Sequence, residues 1–235
     1  IQEAARDDRY ALMGGFCRQN GVWPLFLGHH MDDQIETFFL RLLKGSGPEG
    51  LAGMQSIRPM SDHVQLVRPF LGVPKVQLAK ICEEQNIPYI SDPSNENEKF
   101  TRVRIRKLRD DLAQEGASDE MLSKSIFRLR EFVDVVDFYT EKAWGEIVLN
   151  KHPNRIVMKF SLLVTQPQGM VLRLLKKAYA EIHAGQDGYG PRRDKLERIV
   201  GELCHAPEHF ERQTLGGCIL TLNEKDDTFT FELEG

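Results

Sequence analysis

Two histidines and two aspartates fall within five residues, His29-His30-Met31-Asp32-Asp33. Glu36, Thr37, Arg41 and Lys44 follow within three turns of a helix. Carboxylates next to imidazoles suit a hard divalent cation, and Mg²⁺ is typically held by one or two carboxylates together with substrate phosphates. Asp32 and Asp33 are therefore the candidate metal ligands. Arg41 and Lys44 supply cations for phosphate oxygens. Taken singly, each group also has a plain structural use. Asp32 would cap a helix, Asp33 and Glu36 would favour its macrodipole, and His29 would serve as a hydrogen-bonded core residue. The helix argument accounts for the acids but not for the paired histidines or the basic residues downstream.

The elements needed to position these groups are legible around them. Residues 2–19 read as a helix stopped by Gly21, and Trp23–Gly28 as a short buried strand. A helix follows over about 32–44. On a helical projection Ile35, Phe38, Phe39, Leu42 and Leu43 share one side. Asp33, Glu36, Thr37 and Lys44 share the other, with Arg41 at the border. The apolar side would pack on a sheet, leaving the polar side facing a cleft at the carboxyl ends of the strands, where open α/β sheets bind ligands. Gly45-Ser46-Gly47-Pro48 is a loop by composition, Leu66–Pro69 a short strand, and 74–85 an amphipathic helix. Ile87–Ile90 is a short extended segment leading into Asp92-Pro93-Ser94-Asn95.

The second half changes character. Residues 118–149 carry apolar groups at helical spacing, and 168–183 and 191–204 are two further helices. Cys218–Leu222 and Thr228–Leu233 alternate around a turn and predict a β-hairpin. The expected fold class is α/β: a parallel-sheet domain over 1–112, then a mostly helical domain over 113–235 ending in that hairpin. The boundary is placed near 112–118, where Glu115-Gly116-Ala117-Ser118 interrupts two periodic stretches.

Composition narrows the classes. The chain has 235 residues, 28% of them charged and 41% hydrophobic, which excludes disordered and collagen-like classes. Net charge is −4, so any nucleic-acid surface must be local. No apolar run reaches the roughly 18 residues of a membrane span. The four cysteines form no CxxC pair, which argues against a cysteine zinc site and for reduced thiols in a cytoplasmic protein. One basic strip stands out: Arg102, Arg104, Arg106, Lys107 and Arg109 within eight residues. It is either a solvated helix face or a phosphate-contacting run. A second basic group spans Lys176, Lys177, Arg192, Arg193, Lys195 and Arg198.

Five motifs occur in order: Gly28-His-His-Met-Asp-Asp-Gln-Ile-Glu-Thr37, Arg41-Leu-Leu-Lys-Gly-Ser-Gly47, Arg68-Pro-Phe-Leu71, Asp92-Pro-Ser-Asn95 and Phe100-Thr-Arg-Val-Arg-Ile-Arg106. With Glu3-Ala-Ala-Arg-Asp-Asp-Arg-Tyr10 upstream, the series resembles the tRNA(Ile)-lysidine synthetases, N-type ATP pyrophosphatases of the PP-loop group. The resemblance implies an adenine nucleotide alpha hydrolase-like fold over about 1–110. It implies joining of lysine to the wobble cytidine of an isoleucine tRNA with a CAU anticodon, through an adenylated tRNA. It implies ATP and Mg²⁺ as cofactors, and tRNA and free lysine as partners, and leaves room for a homodimer. Arg9, Asp33, His30 and Glu36 are then the expected catalytic group. His29, Asp32, Thr37, Arg41, Lys44, Gly45 and Gly47 are expected to hold the nucleotide. Asp92, Asn95, Arg102, Arg104, Arg106 and Lys107 are expected on the tRNA side.

The chain departs from the pattern at three positions: Lys44 where many members have Arg, Val103 where Asn is usual, and Lys107 where His is usual. The family's S-G-G-x-D-S phosphate loop does not occur in these 235 residues. The expectation is a chain corresponding to the later part of a longer ligase and inactive without that loop. The alternatives are another PP-loop tRNA modifier, a metal phosphoesterase, or a tRNA-binding module with an incomplete nucleotide site.

Overall fold

The computed structural model describes residues 2–61, 63–90, 101–183 and 190–234. The chain forms two compact units, residues 1–134 and 135–235.

In the first unit, helix α1 (Gln2–Gln19) precedes strand β1 (Pro24–Phe26), and α2 (Met31–Leu42) follows it directly. Strand β3 (Val64–Val67) runs parallel to β1, with Leu25 opposite Leu66. Strand β2 (Ile57–Ser61) was not anticipated, and it pairs antiparallel with β3 to give the order β1-β3-β2. The expected parallel pair is therefore present within a mixed sheet. Helix α3 (Pro48–Leu51) is a single turn in the glycine-rich loop, and α4 (Lys75–Glu84) matches the predicted helix over 74–85. Helix α5 (Thr101–Gln114) carries the basic strip.

The apolar face of α2 packs differently from the projection. Met31, Ile35 and Phe39 form a core with Ile105 of α5 and Ile126 of α6 (Asp119–Ile147), and Leu122 packs at its edge. Leu42 and Leu43 are exposed. Glu36, assigned to the cleft side, is 1% exposed.

Helix α6 explains why the first unit extends past the expected boundary. The chain break at Glu115–Ser118 is real, since a Gly116 with φ 93° ends α5 and a new helix begins at Asp119. The start of that helix nevertheless supplies Leu122 and Ile126 to the first core, while Ala143 and Ile147 belong to the second. A boundary read from periodicity marks where helices change, not where their buried faces change partners.

The second unit is more β-rich than expected. Strand β4 (Val148–His152) begins where the sequence still read as helix, and pairs with β5 (Arg155–Lys159) around Pro153-Asn154. The hairpin expected near the end of the chain is present as β7 (Cys218–Asn223) and β8 (Thr228–Leu233). With β6 (Gln213–Leu215) it joins a five-stranded antiparallel sheet ordered β4-β5-β8-β7-β6. Alternate residues face inward, as strand periodicity requires: Ile156 and Met158, Phe229 and Phe231. They meet Val171, Leu174, Leu175 and Ala178 of α8 (Gln168–Ile182), and Leu196, Ile199 and Leu203 of α9 (Arg193–His205). The first turn of helix α7 (Phe160–Val164) meets Asp227 in the β7–β8 turn, whose carboxylate accepts the Ser161 N–H and hydroxyl at 2.7 and 2.6 Å. Several second-group cations sit in exposed pairs, Lys177 with Glu141, Arg193 with Glu197 and Arg198 with Glu202. No described helix is long and apolar enough to cross a membrane.

Candidate functional site

The site is built where β1 ends. The ladder beside β3 is extended by a Leu27 N–H to Val67 carbonyl bond at 2.8 Å and an isolated bridge between His30 and Phe70. His30 keeps extended backbone (φ −125°, ψ −176°) and is the residue before α2. The paired histidines thus stand at the carboxyl end of the parallel strands and the aspartates fill the first helical turn. The His30 N–H donates to Asp33 Oδ2 at 3.0 Å, satisfying a backbone donor that the helix leaves open.

Asp32 is heavily engaged. Its Oδ1 accepts from Arg109 Nη2 at 2.7 Å and its Oδ2 from the Lys75 N–H at 2.8 Å. His30 Nδ1 lies 3.5 Å from Oδ2. The His30 contact, against the cost of burial, and then the Lys75 amide and Arg109, hold this carboxyl well below the usual carboxylate range. Arg109 bridges on to Asp119 Oδ2, also at 2.7 Å, and its two carboxylates raise its pKa despite burial. One turn further along α2, Arg106 Nε donates to Glu36 Oε1 at 2.6 Å. Two arginines of α5 therefore neutralise two acids of α2, and the basic strip holds the helices together.

The glycine-rich connection after α2 is held from inside. Arg41 Nη1 donates to the carbonyls of Gly50 and Gly53 at 2.6 and 3.0 Å. Gln34, buried in α2, clasps Met54 with both ends of its amide: Nε2 to the carbonyl at 2.8 Å, Oε1 from the N–H at 2.6 Å. Gly53 has φ +71°, and a Cβ there would lie 2.6 Å from Gln34 Oε1, so only glycine fits beneath the clasp.

The sequence-selected residues fall as follows. His29, His30, Asp32, Asp33, Glu36 and Thr37 gather at the β1–α2 junction and first turns of α2, Glu36 within the core and the others half-buried. Arg41 is folded inward onto carbonyls, whereas Lys44 and Gly45 are exposed. Gly47 is the residue before α3, with extended backbone. Arg9 is exposed on α1. Arg104 and Lys107 are exposed on α5, and Arg106 faces Glu36. Asp92, Asn95 and the Arg102 side chain lie outside the described residues.

The donor set tests the expected metal. Among the described residues no group of three or more His, Cys, Asp or Glu side chains converges to hold one. Asp32 is committed to Arg109 and an amide, and Glu36 to Arg106. Asp33 accepts the His30 N–H through Oδ2 alone, which leaves Oδ1 as the open ligand. One open carboxylate fits Mg²⁺ only with substrate phosphates completing its shell. Three residues that sequence reasoning did not place in a site are Gln34, Arg68 and Arg130. Arg68 lay inside the recognised Arg-Pro-Phe-Leu string, but Gln34 and Arg130 carried no local signal beyond a polar residue in a helix.

Comparison with known proteins gives the same framework. Residues 1–112 match the PP-loop domain. The tRNA(Ile)-lysidine synthase of Methylobacterium nodulans is 34% identical over 227 residues, covering 95% of this chain and 66% of that protein. The tRNA(Ile)-lysidine synthase of Ruegeria pomeroyi is 31% identical over 228 residues, 94% of this chain and 51% of that protein. That of Bradyrhizobium diazoefficiens is 30% identical over 239 residues, 94% of this chain and 66% of that protein. The chain thus spans half to about two thirds of the length of these curated relatives. Residues 1–112, with the β1–α2 junction, thus form a PP-loop domain, and the similarity to tRNA(Ile)-lysidine synthases continues through the second unit.

Proposed function

We propose that the protein containing this chain joins free lysine to the wobble cytidine of isoleucine tRNA bearing a CAU anticodon, at the expense of ATP. The observation that carries the proposal is that relatives named for this product align over 94–95% of the chain, second unit included. ATP supplies an activated leaving group: the cytosine C2 oxygen becomes bonded to AMP as pyrophosphate departs. The lysine ε-amine then forms the C2–N bond, the C2–O bond to AMP breaks, and the amine loses a proton. Adenylyl transfer of this kind depends on cations aimed at developing negative charge.

In this proposal Asp33 presents its open carboxylate oxygen to substrate or to a phosphate-bound Mg²⁺. Arg9, exposed on α1, clamps the adenylate charge. His29, His30 and Thr37 line the same junction, and Lys44 meets the nucleotide as a point charge rather than a fork. Asp32 and Glu36 act as positioning residues through Arg109 and Arg106. Arg104 and Lys107, the exposed cations of α5, with Arg102, Asp92 and Asn95, belong to the tRNA side.

The test is an incubation of the full natural protein with unmodified CAU-anticodon isoleucine tRNA, lysine, ATP and Mg²⁺, read by nucleoside mass spectrometry. Lysidine at the wobble position is the expected product. Tight tRNA binding with no modified nucleoside and no ATP binding would replace this reading with that of a tRNA-binding module.

A further inference from the structure

Arg130 lies in the first half of α6, beyond the residues 1–112 that match the PP-loop domain. Its Nη2 donates to the carbonyls of Ala52 and Gly53, both at 3.1 Å. These carbonyls follow the single turn of α3, where no further helical turn donates to them. The Gly53 carbonyl also accepts Arg41 Nη1 at 3.0 Å, so guanidiniums from α2 and α6 meet on one oxygen. The glycine-rich connection after α2 is therefore tied to α6 as well as to α2.

The tie reaches residues 44–47 through α3. The chain leaves α2 in a tight turn. The Lys44 and Ser46 N–H groups donate to the Arg41 carbonyl at 3.1 and 3.0 Å, and the Gly45 N–H donates to that of Leu42 at 3.0 Å. A Cβ on Gly50 would lie 2.8 Å from Ser46 Cβ, so α3 rests directly on that turn. Close-packed groups transmit displacements, and a shift of Ala52 and Gly53 is passed through α3 to Ser46 and its neighbours.

Satisfying carbonyls does not by itself call for charge, since the neutral Gln34 amide serves both backbone groups of Met54. Two guanidiniums on one oxygen repel each other. Burial and then the Arg130 charge hold the Arg41 pKa below its ordinary value. Among the described residues no carboxylate pairs with either arginine. Asp134 stands four residues after Arg130, a spacing at which opposite charges meet on a helix, yet the Arg130 fork is turned to the carbonyls. Excess positive charge has a use beside a turn that takes phosphates, because the anion offsets it. We propose that Arg130 is a positioning residue for ATP: by fixing α3 it holds Lys44, Gly45 and Gly47 where they meet the nucleotide phosphates. The inference rests on the reading that gives those three residues to ATP.

Calorimetric titration of the full natural protein with a non-hydrolysable ATP analogue, beside steady-state kinetics, tests the assignment. Arg130→Met keeps the stem and removes the fork. It should raise the analogue Kd and the KM for ATP about tenfold, the equivalent of one charge-assisted hydrogen bond, with kcat and the KM for lysine within about twofold. Arg130→Lys keeps the charge without the fork and should recover part of the affinity. An arginine that only supports the fold would instead lower the urea midpoint and the folded fraction, leaving the Kd of each folded site unchanged. That outcome in folded Arg130→Met overturns the proposal. Hydrogen exchange over residues 44–54 of the wild-type protein needs no variant and should slow about tenfold when the analogue binds. Equal exchange with and without bound analogue overturns the proposal as well. No analogue binding by the wild-type protein removes both the inference and the nucleotide assignment beneath it. Analogue binding weakened by Arg130→Met, with no lysidine formed, keeps the inference and ends the ligation. Lysidine formation with full ATP affinity in folded Arg130→Met does the reverse.

Discussion

Removing the Arg106 charge is the sharpest test of how α2 and α5 are held together. The Glu36 side chain is 2% exposed and that of Arg106 39%, with Nε 2.6 Å from Oε1. In Arg106→Met the stem is kept and the charge is lost, leaving a carboxylate in the core without its guanidinium. Removing one partner of a buried charge pair costs about 3–5 kcal/mol. Arg106 is more than a third exposed, so water already screens part of this pair, and the lower figure of about 2–3 kcal/mol applies. For a unit the size of residues 1–134 that is a fall of roughly 10 °C in melting temperature. The two tryptophans allow the unit to be read alone, since Trp23 lies in the first and Trp144 in the second. Urea titration followed by Trp23 fluorescence in a Trp144→Phe background measures the loss. Adding Glu36→Gln removes the buried carboxylate charge as well and should recover about half of the loss or more. A loss under about 0.5 kcal/mol, the size of an ordinary surface effect, or no recovery in the double variant, would refute the buried-pair reasoning. It would return Arg106 to the solvated basic strip.

Asp32→Asn should cost about 1–2 kcal/mol at pH 7 through the lost Arg109 and Lys75 bonds. The wild-type carboxyl is depressed in the folded state, so its contribution is present above the unfolded value near 3.9 and is lost as pH falls through that region toward the folded one. The stability gap between the two proteins should therefore narrow between about pH 5 and pH 2, and a gap constant with pH would contradict this. Gly53→Ala should destabilise by about 1–3 kcal/mol, because positive φ and the Gln34 amide both oppose a Cβ; denaturant midpoints decide it. Cys218 is fully buried and its thiol is pushed up to about 11 by burial. It should resist iodoacetamide at pH 8 until urea unfolds the second unit, and prompt alkylation of the native protein, read by peptide mass spectrometry, would show the sheet to be more open.

Local sequence determined much of this protein. The spacing of Ile35, Phe38, Phe39 and Leu42 requires a one-sided helix. The run before His29-His30 requires a strand, and alternation over 218–233 requires a hairpin, because these periods follow from backbone geometry alone. The same locality put the histidines and aspartates at one strand-to-helix turn, since they are neighbours in the chain. It could not decide what each charge would face. A helical projection places Glu36 among polar groups, yet Arg106, 70 residues away, lets it enter the core. The strip over 102–109 reads as free cations, yet Arg106 and Arg109 are consumed by acids of α2. Strands β2 and β4 escaped detection because short segments with exposed faces are specified by their partners more than by themselves. The guanidiniums of Arg41 and Arg130, 89 residues apart, meet only when the chain folds them onto the Gly53 carbonyl. Periodicity is a property of neighbouring residues, whereas the pairing of charges is a property of space, and only the tertiary structure sets those distances.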